Sequence, residues 1–194
     1  MKRVRTGILI SGRGTNMSAL IEAAKASAYP AEIVLVISNI AEAGGLARAA
    51  EAGIPTSTIS HRDYATREAF EAEIDRVLRG SDVELVCLAG FMRVLTTGFI
   101  AKWQGRLLNI HPSLLPAFRG LHTHEQAIAA GATVHGCTVH HVVPELDAGP
   151  IIAQASAPVF ANDTPDSLAA RVLTQEVKLY PLALAKTAKS LRPL

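Results

Sequence analysis

Residues 4–16, Val4-Arg5-Thr6-Gly7-Ile8-Leu9-Ile10-Ser11-Gly12-Arg13-Gly14-Thr15-Asn16, run from an apolar stretch straight into a glycine loop. Val4 to Ile10 reads as a buried strand, and Asn16 to Ala28 as the helix that the loop opens. Working outward, the same alternation repeats. Glu32 to Ser38 is a strand and Ala43 to Ala52 a helix stopped by Gly53. Pro55 to Ile59 is a short, weaker strand. Thr66 to Arg79 is helical, with Phe70, Ile74, Val77 and Leu78 at i, i+4, i+7 and i+8, and Gly80 ends it. Val83 to Ala89 is a nearly continuous apolar run, which suits a parallel strand covered on both faces. Strand–helix alternation of this kind implies βαβ units in an α/β, doubly wound sheet with helices on both faces. Ligands in such sheets gather at the carboxyl ends of the strands, so the loops after Ile10, Ala89 and Ile110 carry special weight.

The second half changes character. Arg106 to Ile110 is a strand and His122 to Ala130 a short helix. Cys137 to Val143 and Ile151 to Pro158 are strands separated by only Pro144 to Pro150, too short for a parallel crossover, so a hairpin is expected and the sheet is mostly parallel but mixed. Thr164 caps a last helix, with Pro165 at its first position, that reaches about Leu191. No repeat, low-complexity tract or linker divides the chain.

Composition narrows the function classes. The chain has 194 residues, 49% of them hydrophobic and 19% charged, so a disordered linker is excluded. Nineteen Lys and Arg against seventeen Asp and Glu leave a net charge of +2, without the basic excess of a nucleic-acid binder. Cys87 and Cys137 sit in apolar runs and read as small buried hydrophobes, not as a disulfide or zinc framework. The apolar run after Met1-Lys2-Arg3 breaks at Ser11-Gly12, too soon for a signal peptide, and no run is long enough to span a membrane. A cytoplasmic protein is expected.

Two motifs carry chemistry. In Ser11-Gly12-Arg13-Gly14-Thr15-Asn16, free N–H groups at a helix start attract an anion and glycine permits close approach. Met17 stands where a dinucleotide fingerprint has its third glycine, and Ser38-Asn39 stand where it has its ribose acid; no Walker Lys follows. A monophosphate site fits better, and a purely structural turn stays open. In Leu107-Leu108-Asn109-Ile110-His111-Pro112, Asn109 and His111 are two apart and share a strand face at its carboxyl end. An amide and an imidazole together suit a developing oxyanion. Spacing alone equally allows a loop-tying amide and a structural histidine. Asp147, in the hairpin loop, would favour an imidazolium if it reached His111, but reads by itself as a turn residue. His122, His124, His140 and His141 lack the partners of a metal shell, so no metal is expected.

Together, Ile10 to Asn16, Leu88 to Leu95 (LAGFMRVL), Leu107 to Pro116 (LLNIHPSLLP) and Glu145 to Pro150 resemble the phosphoribosylglycinamide formyltransferase family of folate-dependent enzymes, over about Val4 to Pro181. The resemblance implies a single Rossmann-like formyltransferase domain over residues 1–194. It implies transfer of the formyl group of 10-formyltetrahydrofolate, a co-substrate, to the amine of glycinamide ribonucleotide, giving the N2-formyl product and tetrahydrofolate in purine (IMP) biosynthesis. Asn109, His111 and Asp147 match the family's catalytic residues. Gly14, Thr15, Asn16 and Glu176 match positions that bind the phosphorylated amine. Arg67, Met92, Arg93, Val94, Leu95 and again Asn109 match positions that bind the folate. The Val143-to-Asp147 loop resembles one that closes over the pterin, and His140 matches a histidine near the site. Leu173 departs from a polar or basic residue found in relatives. Small-molecule substrates, no nucleic acid, no membrane, and a monomer or homodimer are implied.

Rival readings keep parts of this. A formyltetrahydrofolate hydrolase would use water as acceptor, and its relatives carry an extra N-terminal regulatory domain. A methionyl-tRNA formyltransferase would need an RNA-binding domain and more basic charge. A non-catalytic nucleotide-binding module would keep the glycine loop without needing Asn109, His111 and Asp147 to converge. An NAD-dependent oxidoreductase fits least.

Overall fold

A computed structural model describes residues 2–192; Met1, Pro193 and Leu194 lie outside the described residues. Seven strands form one sheet: β1 (Val4–Ile10), β2 (Ala31–Ser38), β3 (Thr56–Thr58), β4 (Leu85–Leu88), β5 (Leu107–His111), β6 (Val134–His141) and β7 (Ile151–Pro158). Their order is β3-β2-β1-β4-β5-β6-β7. The first five run parallel, whereas β6 is antiparallel to both β5 and β7. The chain builds outward from β1 in one direction and then returns to build outward from β4 in the other. That reversal opens a crevice at the carboxyl ends of β1 and β4, where ligands of doubly wound folds sit.

Among the described residues six α-helices cover the sheet: α1 (Thr15–Ala24), α2 (Gly44–Glu51), α3 (Arg67–Gly80), α4 (Thr97–Lys102), α5 (Thr123–Ala129) and α6 (Pro165–Ser190). Two hydrophobic clusters show which face each covers. Met17, Leu20, Ala49, Ala127, Leu168 and Tyr180, from α1, α2, α5 and α6, pack with Ile8, Ile10 and Cys87. Phe70, Ile74, Leu78, Phe99 and Trp103, from α3 and around α4, pack on the opposite face with Leu9, Val86 and Leu88. Alternate β1 side chains therefore enter different clusters, and a strand covered on both faces reads as continuously apolar.

The expected elements are present, with shifted ends. The first helix stops at Ala24, not Ala28, because residues 25–29 turn tightly, with the Tyr29 amide donating to the Ala26 carbonyl. Gly80 closes α3 from within, and Ser81 follows as its cap. β6 lies three residues earlier than expected at its start and two at its end, because its pairing with β7 begins at Val134 opposite Pro158. The hairpin is antiparallel, as its short loop requires. Thr164 caps α6 through a reciprocal bond with Ser167, and Pro165 is its first residue. Both cysteines are free and buried. Among the described residues, no helix is long and apolar enough to cross a membrane.

Candidate active site

Strand β5 delivers Asn109 and His111 to the crevice, and β6 lies antiparallel beside it with His140 opposite Asn109. The His140 Nδ1 atom is 2.9 Å from the His141 carbonyl oxygen. A carbonyl only accepts, so the proton sits on Nδ1 and Nε2 is left as an acceptor. Asn109 Nδ2 lies 3.3 Å from that Nε2 and donates to it. Burial holds His140 below its ordinary value, which keeps this neutral tautomer in place. The amide is thereby oriented with its second N–H available to a ligand oxygen.

His111 is held from two sides. Its Nε2 donates to the Phe118 carbonyl at 3.0 Å, and its Nδ1 is 3.5 Å from Asp147 Oδ2. An imidazolium has one donor for each of these acceptors. Asp147 Oδ2 also accepts from the Gly120 amide at 2.9 Å, and Oδ1 is 3.8 Å from His140 Nε2. The His111 and Asp147 side chains are only 6% and 7% exposed, so ring and carboxylate face each other largely away from water. Asp147 adopts φ 49°, a left-handed conformation that Asp tolerates better than most residues and that turns its carboxylate inward. Spacing could not place this loop residue beside His111; the close hairpin does. Gly149 makes that approach possible, since a Cβ there would lie 1.7 Å from the His141 carbonyl oxygen.

The glycine loop forms the opposite wall. Gly14 has φ 74° and immediately precedes α1, whose first N–H groups receive no side-chain cap. Asn16, one residue inside the helix, donates through Nδ2 to Glu176 Oε2 at 2.6 Å. Its Oδ1 is buried without a protein partner, an acceptor suited to a ligand N–H or O–H. Glu176 is buried on α6, and that burial pushes its carboxyl up, partly opposed by the Asn16 bond and by nearby His111. Residues 160 positions apart are thus brought together, with His111 near enough to Glu176 to favour its charge. Thr15 is half-buried at the start of α1, and Leu173 is half-buried on α6.

The strip after β4 lies against the same loop. The Ser11 amide donates to the Gly90 carbonyl at 3.1 Å, and the Ser11 hydroxyl accepts from the Met92 amide at 2.9 Å. Met92 and Val94 are 67% and 66% exposed, an apolar edge suited to a flat aromatic ligand. Arg93 and Arg67 are exposed as well, the latter at the first position of α3. Leu95 differs: its side chain is buried in the cluster with Phe99 and does not reach the edge. Phe118 and Gly120 were missed as sequence candidates, since they act through backbone groups that no side-chain pattern reveals; Ser11 stood in the glycine motif but without a role of its own. Among the described residues, no group of three or more His, Cys, Asp or Glu side chains is arranged to hold a metal ion.

Comparison with known proteins gives consistent matches. The formyl transferase family model matches residues 4–184. The chain is 48% identical over 178 residues to phosphoribosylglycinamide formyltransferase of Escherichia coli strain K12, covering 92% of this chain and 84% of that one. It is 50% identical over 187 residues to the trifunctional purine biosynthetic protein adenosine-3 of Bos taurus, which takes in 96% of this chain but only 18% of the longer protein. The crystal structure of phosphoribosylglycinamide formyltransferase from Brucella melitensis superposes with a TM-score of 0.93 at 56% identity, covering 96% of each chain.

Proposed function

The chain belongs to the formyl transferase family, and on that premise we propose that it is a phosphoribosylglycinamide formyltransferase, moving a formyl group from N10 of 10-formyltetrahydrofolate to the amine of glycinamide ribonucleotide in purine synthesis. The reading takes residues 1–194 as one catalytic domain acting on small molecules in the cytoplasm, as a monomer or homodimer. One observation carries it: His111, at the end of β5, is 3.5 Å from Asp147 and shares its strand face with an amide oriented by His140.

In this reading the amine nitrogen attacks the formyl carbon, a C–N bond forms, and negative charge collects on the formyl oxygen. The second N–H of Asn109 donates to that oxygen. His111 is the other donor, and the oxygen takes the place of the Phe118 carbonyl on Nε2. A well-placed donor of this kind contributes about 3–4 kcal/mol. Asp147 holds the imidazolium, and the proton lost by the attacking nitrogen passes, through the Asp147–His111 pair or water, to the departing N10. The bond from the formyl carbon to N10 then breaks, leaving the formamide and tetrahydrofolate. Acid–base assistance of this kind contributes about 10²–10⁴-fold. Gly14, Thr15 and the start of α1 hold the phosphate, while Asn16 Oδ1 and the Glu176 carboxylate accept hydrogen bonds from the rest of the ribonucleotide. Met92, Arg93 and Val94, with Arg67 and Asn109, hold the folate, and positioning both substrates in one crevice supplies the remaining acceleration.

The test mixes the protein with 10-formyltetrahydrofolate, with and without glycinamide ribonucleotide, and follows tetrahydrofolate release. Release only with the amine is the expected result. Equal release without it makes the protein a hydrolase, and no release in either case leaves a binding module.

A further inference from the structure

Glu71 takes no part in the chemistry described above, yet it is a carboxylate only 3% exposed. Burying such a group is costly unless its oxygens are bonded. A single residue bonds both: Glu71 Oε1 accepts from the Thr96 amide at 2.7 Å, and Oε2 accepts from the Thr96 hydroxyl. Thr96 is in turn the N-cap of α4, its Oγ1 accepting from the Phe99 amide at 3.3 Å. The clamp therefore ties the second turn of α3 to the residue that directly follows Met92–Leu95.

That strip is fastened at both ends. Upstream, the Met92 amide is bonded to Ser11, and Phe91 is buried; downstream, Leu95 is buried and Thr96 is held by Glu71. Between these fixed points Met92 and Val94 stand exposed. Arg67 lies one turn before Glu71 on α3, so it shares the helix that makes the clamp. We infer that Glu71 is a positioning residue for the folate side of the crevice, its carboxylate fixing Met92–Val94 relative to Arg67. The inference rests on the folate-dependent reading proposed above. Ser11 joins the strip to the start of the glycine loop, but Gly14, Asn16 and Glu176 make none of these bonds to Glu71 or Thr96, so the amine side should feel the clamp far less than the folate side.

The experiment measures KM for each substrate, kcat, and calorimetric binding of tetrahydrofolate in wild type, Glu71→Gln, Thr96→Val and Thr96→Ser. Gln keeps the size of Glu71 but puts a donor where the clamp needs two acceptors. A lost charge-assisted hydrogen bond is worth about tenfold or more in an equilibrium. Glu71→Gln should raise the folate KM and the tetrahydrofolate Kd about tenfold, leave the amine KM within about twofold, and keep most of kcat at saturating folate. Thr96→Val should shift the folate KM by about threefold, and Thr96→Ser, with both donors retained, should restore wild-type binding. If Glu71→Gln does not fold, the Thr96 pair carries the same test. Unchanged folate binding in Glu71→Gln and Thr96→Val, or a rise in both KM values together with a fall in kcat, overturns the inference and makes the clamp a part of the core only. A wild-type protein that binds no tetrahydrofolate overturns the folate reading and this inference together; wild-type binding with unaffected variants overturns this inference alone.

Discussion

At the residue scale, the arrangement around His111 separates charge from shape. Asp147 sits at φ 49°, a conformation Asn also tolerates, and an amide oxygen can still accept from the Gly120 amide. Asp147→Asn should therefore preserve the loop and remove only the charge facing His111. Turnover should fall about 10²–10⁴-fold with the thermal midpoint within a few degrees of wild type. His111→Ala should lower kcat at least as much, as it removes a donor as well as the proton carrier. Steady-state kinetics paired with thermal melts check both, and wild-type turnover in either variant removes that residue from the mechanism. The glycine loop needs a different probe. A Cβ on Gly14 would lie 2.9 Å from the Gly45 Cα, and its φ of 74° already disfavours side chains. A bulky residue there would disturb the loop itself, so Asn16→Ala is the cleaner test. It leaves the backbone alone, removes the partner of Glu176, and should raise the amine KM about tenfold or more with kcat less affected.

At the scale of elements, the hairpin is what converts a turn residue into a partner for His111. The base of the hairpin is closed by the His141 amide donating to the Pro150 carbonyl at 2.9 Å, with Gly149 packed beneath the His141 carbonyl. Gly149→Ala sets a methyl against backbone that cannot give way by a side-chain rotation. The hairpin should splay and draw Asp147 away from His111. Stability should fall by about 1–3 kcal/mol and kcat should fall toward that of Asp147→Asn, measured by denaturant titration and kinetics. The alternation of strand and helix was legible in the sequence because each long element has its own apolar period, as in α3 with Phe70, Ile74 and Leu78 facing one way. α4 was not, because six residues hold too little periodicity to register. Asn109 and His111 were legible as a pair from their spacing of two, whereas family resemblance was needed to add Asp147 and Glu176. The supports of the site escaped because they are non-local or backbone groups: the Phe118 carbonyl and Gly120 amide come from residues 112–122, where Phe118, Gly120 and His122 all take positive φ and no repeating pattern exists.

At the scale of the whole molecule, the site is assembled from groups whose burial ties stability to pH. His135 on β6 is 1% exposed and edges against the rings of Phe118 and His124; neither ring nitrogen has a hydrogen bond of normal geometry, although backbone of Pro112 lies near enough to favour the charged ring weakly. Burial first, then the nearby His124, hold it at about 4 against an ordinary 6.5. As pH falls from 6.5 toward 4, the unfolded chain takes up a proton that folded His135 refuses, so stability is lost through that window. His124, His140 and His141 are lowered by burial in the same sense. Glu176 acts oppositely: its raised carboxyl lets the folded state hold a proton that the unfolded chain has released, which adds stability as pH falls toward 4.5. With four groups against one, the thermal midpoint should drop between pH 7 and pH 4. It should drop further below pH 4, where Asp75 and Glu84, held low in the fold by their arginine partners, become protonated. His135→Phe replaces the ring with an apolar one of similar size and should remove about 1–3 kcal/mol of the loss between pH 6.5 and 4, several degrees in the midpoint for a chain of this length. Melts of wild type and variant across that range decide the point: parallel curves would show that His135 meets the acid in the folded protein as readily as in the unfolded one.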